Sequence, residues 1–187
     1  MNSFPSHWQI SRAARCIRSG GIVAYPTEAV FGLGCDPANP YAVMRLMALK
    51  QRRIEKGLIL VAASMKQLQP WVAPVPRKLA NRLDKCWPGP HTWLLPAADH
   101  CPDWLTGGRD TLAVRVSAHP VVQQLCNAAG RAIVSTSANR SGQSPFRSLW
   151  KIRLRFATEI DYYLPGALGG LKQPTRIRDL QTGRVIR

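Results

Sequence analysis

Residues 58–63 read LILVAA, a continuous apolar run closed by Gly57 in front and Ser64 behind. A short apolar run without polar alternation predicts a strand buried on both faces of its sheet. Such a strand needs a packed layer on each side, and the neighbouring segments supply helices for the purpose. Residues 7–19, HWQISRAARCIRS, space Trp8, Ile10, Ala13, Ala14 and Ile17 as one helical stripe, with Ser6 as cap and Gly20 as stop. From Pro40, PYAVMRLMALKQR opens with proline at a helix N-terminus and sets Val43, Met44, Met47 and Ala48 on one face. Further helices are expected over 76–85, ahead of the breakers Pro88, Gly89 and Pro90, and over 119–129. GIVAYPT, HTWLLPA, TLAVRVS and RAIVSTS read as strands, and RIRDLQTGRVIR alternates around Thr182-Gly183 like a terminal hairpin. With no internal repeat, low-complexity tract or linker, residues 1–187 are expected to form one α/β domain on a mixed sheet.

Charge narrows the partners. Twenty-six Lys and Arg against ten Asp and Glu give +16, and nineteen of the cations are arginines. Such a field attracts polyanions: nucleic acid, nucleotides or acidic surfaces. Arginine's planar fork suits bidentate phosphate contacts, which weights this reading over a merely arginine-rich composition. No window nears about 18 consecutive apolar residues, and MNSFPSHWQISRAARC lacks the apolar centre of a signal peptide. The cysteines (Cys16, Cys35, Cys86, Cys101 and Cys126) are scattered and form no C-x-x-C pair. Without an export signal they read as reduced thiols in the cytoplasm.

Several common chemistries lack their signatures. There is no G-x-x-x-x-G-K-[ST], and Gly32-Leu33-Gly34 runs on into Cys-Asp-Pro instead of completing G-x-G-x-x-G. The four histidines and the cysteines show no metal-ligand spacing, and no G-x-S-x-G elbow is present. Three segments stand out instead. YPTEAVFGLGCD (25–36) leaves a strand through proline into a Thr-Glu pair and two glycines. It reads either as a site where backbone approaches a ligand closely or as a plain strand-to-helix turn with Glu28 solvated. LKQRRIEKG (49–57) gathers Lys50, Arg52, Arg53 and Lys56 at a helix end, where the dipole favours cations whatever their role. STSANRSG (135–142) follows a strand with hydroxyls and an amide. That arrangement resembles a cradle for phosphate or carboxylate more than a nucleophile, because no base is evident nearby.

Taken in order, YPTEAVFGLGCD, Lys50-x-Arg52, KGLILVAA, WPGPHTWLLPA, LAVRVSAHPVV and S-x-S-A-N-x-S-G resemble the YrdC family. The likeness runs from about residue 8 to the C-terminus and is nearest the single-domain bacterial members of the TsaC type. It implies a twisted α/β sheet around a concave basic cavity. It also implies a threonylcarbamoyl-AMP synthase, joining L-threonine, bicarbonate or CO2, and ATP into threonylcarbamoyl-adenylate with release of diphosphate. Transferase proteins would pass the group on to the adenosine beside the tRNA anticodon (t6A formation); direct contact with tRNA is left open.

The same resemblance implies that Lys50 and Arg52 are the catalytic pair on the ATP phosphates, with Ser137, Asn139 and Arg187 contacting the nucleotide. It implies threonine beside Thr27, its carboxylate on Arg115, with Ser135 and Thr175 as further substrate contacts. A Mg2+ ion would be held by phosphates and water, not by a protein cage. Two-domain members carry Asn-Pro in place of Lys56-Gly57, a threonine-binding histidine in place of Val61, and a C-terminal domain whose linker covers the site. The threonine pocket is therefore expected to differ from theirs. An RNA-binding or ribosome-maturation module is the alternative, motivated by the charge and by RSLWKIRLRF (147–156), whose Leu149, Ile152 and Phe156 share a helix face.

Overall fold

The computed structural model describes residues 4–186. Helices and strands alternate along most of the chain, and each begins for a local reason. Helix α1 (His7–Arg18) starts with a reciprocal capping box between Ser6 and Gln9. Its buried stripe is Ile10, Ala13, Ala14 and Ile17; Trp8, expected on that stripe, lies outside with the Arg12 guanidinium over its ring. Strands β1 (Val23–Pro26) and β2 (Phe31–Gly34) form a hairpin, so YPTEAVFGLGCD is strand–turn–strand and not the strand-to-helix turn considered above. Helix α2 (Pro40–Lys50) is capped by Asn39 and carries proline in its first turn. Its inner face is Val43, Leu46, Met47 and Lys50, while Met44 and Ala48 face outward, correcting the expected stripe.

A 3-10 turn (Ile54–Lys56) leads into β3 (Ile59–Ala62), the strand foreseen in LILVAA. Then come α3 (Met65–Leu68), α4 (Arg77–Asp84), β4 (Thr92–Pro96), α5 (Asp103–Thr106), β5 (Thr111–Val116) and α6 (Pro120–Ala129). β6 (Ile133–Ser137), α7 (Leu149–Phe156), β7 (Tyr162–Tyr163) and β8 (Ile177–Asp179) complete the chain. Past β8 the tail turns at Gly183, and Val185 bridges back to Arg178 as the expected hairpin.

The strands form one mixed sheet in the order β7-β1-β2-β6-β3-β5-β4-β8. Neighbours in sequence are seldom neighbours in the sheet: β3 lies antiparallel to β6 and parallel to β5. One face carries Leu33, Leu60, Val114, Val134 and Trp93 into the larger core, closed by α2 and α7. On the other face, Val23, Tyr25, Val61 and Ile133 pack under α1 and α6 in a second cluster. These two helices cover only part of that face. Because alternate residues of a strand share a side, Gly32, Ile59, Ala113, Arg115, Ser135 and Ser137 lie on the same face beyond the helices and line an open cleft.

Candidate functional site

Tyr25 marks the boundary between the covered and open parts of this face. A Cβ at Gly34 would stand 2.5 Å from the Val134 carbonyl and 2.8 Å from the Tyr25 ring, so glycine is what allows the ring to lie flat there. Burial pushes the Tyr25 phenol well above its ordinary range, opposed in part by the Ser135 hydroxyl.

Beyond Tyr25 the cleft divides into two compartments that share Arg52, Leu58, Ile59 and Ser137. The first, about 470 Å³, is lined by Thr27, Glu28, Arg115, Ser135, Thr175 and Arg176 among others. The second, about 640 Å³, is lined by Lys50, Lys56, Arg109 and Asn139 among others. Eight of the nine residues singled out from the sequence thus line one continuous cleft. The ninth, Arg187, lies outside the described residues, although its neighbour Ile186 lines the second compartment.

In the first compartment the polar groups hold one another. Arg115 donates from Nη1 to Thr175 Oγ1 at 2.7 Å and to Thr92 Oγ1 at 3.3 Å. Its Nη2 stands 3.3 Å from Glu28 Oε2, an ion pair with side chains 7% and 9% exposed. Ser117 donates to the other Glu28 oxygen at 2.6 Å. Glu28 is therefore buried and paired, not solvated. His119 lies beneath, its Nε2 3.1 Å from the Ala167 carbonyl oxygen and its Nδ1 buried without a partner; burial lowers its pKa. Thr27 spends its hydroxyl proton on the Val30 carbonyl at 2.7 Å, which leaves that oxygen as an acceptor toward the cleft. Across the top runs a strap, residues 164–176, pinned by Gly169 N–H to the Thr27 carbonyl and Leu171 N–H to the Glu28 carbonyl. Val61 is fully buried under α6 and lines neither compartment.

The second compartment is built around the strand-end segment STSANRSG. Lys50, the last residue of α2, is 2% exposed. Its ammonium donates to the Ser137 carbonyl and, at 2.6 Å, to the Asn139 carbonyl, and its own carbonyl accepts from Ser141 N–H at 2.8 Å. Burial, with the charge of Arg52 next in weight, pushes its pKa down to about 7. The Asn139 amide donates to the Arg140 and Gln143 carbonyls at 2.9 and 2.6 Å, leaving its buried Oδ1 without a partner. Arg140, wedged into the same segment, turns away toward Glu159 at 3.8 Å. Arg52 reaches back to the Gly57 carbonyl at 2.8 Å and faces both compartments. The cleft offers cations and backbone dipoles at close range, and no histidine lines either compartment among the described residues. Such a surface binds and orients anions and neutralises charge that develops on them.

The family model Sua5/YciO/YrdC, described as telomere recombination, matches residues 15–187. The chain belongs to the Sua5/YciO/YrdC family. A threonylcarbamoyl-AMP synthase of Halorhodospira halophila is 54% identical over 180 residues, covering 96% of this chain and 94% of the relative. One from Nitrosococcus oceani is 50% identical over 181 residues, 97% of this chain and 98% of the relative. Among solved structures, P. abyssi Sua5 complexed with L-threonine superposes with a TM-score of 0.91 at 33% identity, over 99% of this chain. This chain spans 55% of that protein's length. The Sua5/YciO/YrdC match opens inside α1 and takes in every residue lining the two compartments.

Sequence reasoning missed Ser117, Thr92 and Arg109, which hold the site or line it. Each stands in or beside an apolar strand, where nothing in its own neighbourhood marks it as part of a site.

Proposed function

We propose that the chain is a threonylcarbamoyl-AMP synthase, which forms threonylcarbamoyl-adenylate and diphosphate from L-threonine, bicarbonate or CO2, and ATP. The observation that carries this reading is the pair of compartments joined at Arg52 and Ser137, one holding a single buried arginine beside hydroxyls and the other rich in cations. Threonine occupies the first, with its carboxylate on Arg115 and its hydroxyl among Thr27, Ser135 and Thr175. ATP occupies the second, its phosphates on Arg52 and Lys50 and its nucleoside on Ser137, Asn139 and Arg187. Asn139 Oδ1, buried without a partner, suits a donor such as an exocyclic amine.

The threonine amine, once deprotonated, attacks the carbon of CO2, which bicarbonate supplies by losing hydroxide, and becomes a carbamate as its second proton passes to that hydroxide or to solvent. A carbamate oxygen then attacks the α-phosphorus in line, and the bond to the bridging oxygen breaks so that diphosphate leaves with the electron pair. The substrate supplies its own nucleophile, so the protein's part is positioning and charge neutralisation. Mg2+ enters as the counter-ion of ATP. Glu28, the only acid lining either compartment among the described residues, is engaged by Ser117 and Arg115, which supports a metal held by phosphates and water. The adenylate then serves transferase proteins that modify tRNA in the cytoplasm.

The relatives bear synthase names over nearly their whole length, which favours the enzyme over an RNA-binding module. Incubation with threonine, bicarbonate and Mg-ATP tests the proposal. Diphosphate release that depends on threonine is expected. Tight tRNA binding without such release would overturn it.

A further inference from the structure

Glu28 is out of place. A protein of charge +16 with a cleft built to attract anions buries one carboxylate in the wall of that cleft. It is held with care. His119 N–H donates to Ser117 Oγ at 3.1 Å, which commits the Ser117 proton to Glu28 Oε1 at 2.6 Å. The strap presses on it from above: a Cβ at Gly169 would stand 2.9 Å from Glu28 Cα. Its second oxygen, Oε2, accepts no hydrogen bond and faces Arg115 Nη2 at 3.3 Å.

Stability does not explain the arrangement. A buried ion pair recovers little more than its desolvation costs, and an apolar pair of similar volume commonly does as well or better. Nor does the hydrogen bond from Ser117 require a charge, since a glutamine carbonyl would accept it equally. What the charge does supply is a difference between the compartments. Among the described residues the second is lined by Lys50, Arg52, Lys56 and Arg109 with no acid, while the first is lined by Arg52, Arg115 and Arg176 together with Glu28, which faces Arg115.

We infer that Glu28 makes the first compartment selective for a zwitterionic α-amino acid over phosphate anions. Paired to Glu28, Arg115 still offers donors to a carboxylate, while the acid beside it favours the positive amino end of the same ligand. A phosphate meets the same acid as repulsion and has no positive end to compensate. Glu28 acts through Arg115 and through its field, so it is a positioning and specificity-determining residue. It keeps diphosphate, a product of the neighbouring compartment, from occupying the amino-acid seat. The inference rests on the threonine reading of the first compartment.

Calorimetric titration of the whole chain with L-threonine and, separately, with sodium diphosphate tests it. The wild-type protein is expected to bind one threonine and one diphosphate. Glu28→Gln is expected to weaken threonine by about tenfold or more and to take up a second diphosphate that threonine displaces. Glu28→Asp, which keeps the charge but withdraws it from Arg115, is expected to weaken threonine without admitting a second diphosphate. A single diphosphate in Glu28→Gln overturns the inference. So does a second one in Glu28→Asp, a result that decides the matter even where Glu28→Gln does not fold. Wild-type protein that binds no threonine sinks the functional reading, while the diphosphate count still decides the part played by Glu28.

Discussion

The two compartments hold a buried cation in different ways, and the difference sets what each can receive. Arg115 is held by two threonine hydroxyls and a carboxylate; Lys50 is held by two backbone carbonyls. A carboxylate fixes a cation and cancels its charge. Carbonyl dipoles fix it without setting a full opposite charge beside it. The first arrangement suits a small ligand with charges of both signs, and the second suits a polyphosphate that needs as much positive field as the fold can tolerate. The cost of the second falls on Lys50, whose pKa is driven to about 7. Below that pH the folded state keeps a proton that burial disfavours. Between about 7 and the ordinary lysine range the unfolded chain binds the proton and the folded one does not, so stability rises with pH over that window.

The comparison is broken most completely at Arg52, which serves both sides. Arg52→Ala is expected to lower kcat/KM for threonine-dependent diphosphate release by about 10²- to 10³-fold, with the affinities for ATP and threonine both reduced. Steady-state kinetics with each substrate varied in turn checks this, and loss confined to one substrate would place Arg52 in a single compartment. Arg115→Met comes next. It should raise the KM for threonine by about 100-fold and leave ATP binding nearly unchanged, because the two seats are separate. A parallel loss of ATP affinity would mean that the compartments are one.

Much of this was legible from the sequence where local pattern decides. LILVAA as a doubly buried strand, proline opening α2, and STSANRSG at a strand end all follow from residues within a few positions of one another. Strand β2 was not legible, because FGLG shows two glycines where a strand should show side chains. The missing volume is filled by the Tyr25 ring from the neighbouring strand. The inner face of α2 was misjudged for a related reason: Ala42, Val43, Met44, Leu46, Met47, Ala48 and Leu49 are apolar nearly all round, so periodicity cannot choose a side. Between a site residue and a solvated one, Glu28 was left open because its partner hydroxyl stands 89 residues away, just past β5. Nothing near Lys50 announced that carbonyls of β6 and its following turn would solvate it.

A milder intervention sharpens the comparison from the first compartment. Thr175 belongs to the strap, yet its hydroxyl is the nearest partner of Arg115. Thr175→Ala should raise the KM for threonine by about tenfold with kcat little changed, because Thr92 remains to hold the same nitrogen. Thr175→Ser should restore it, which a merely space-filling role for the threonine methyl would not.

The smallest effect comes from the second compartment and is a matter of protons. Free Lys50, with its pKa near 7, is about half neutral at pH 7 and mostly neutral at pH 8. A polyphosphate beside it favours the charged form and raises its pKa, so ATP binding takes up a proton across this range. The expected direction is a weakening of ATP binding from pH 7 to pH 8, by about fivefold at most. Calorimetry in buffers of different ionisation enthalpy measures the uptake, which should approach about one proton at pH 8 and vanish in Lys50→Met. The threonine affinity of the wild-type protein should not follow that pH dependence, since Lys50 lines the second compartment and not the first. Equal pH dependence for both ligands would remove the distinction between a cation neutralised by a carboxylate and one held by carbonyls alone.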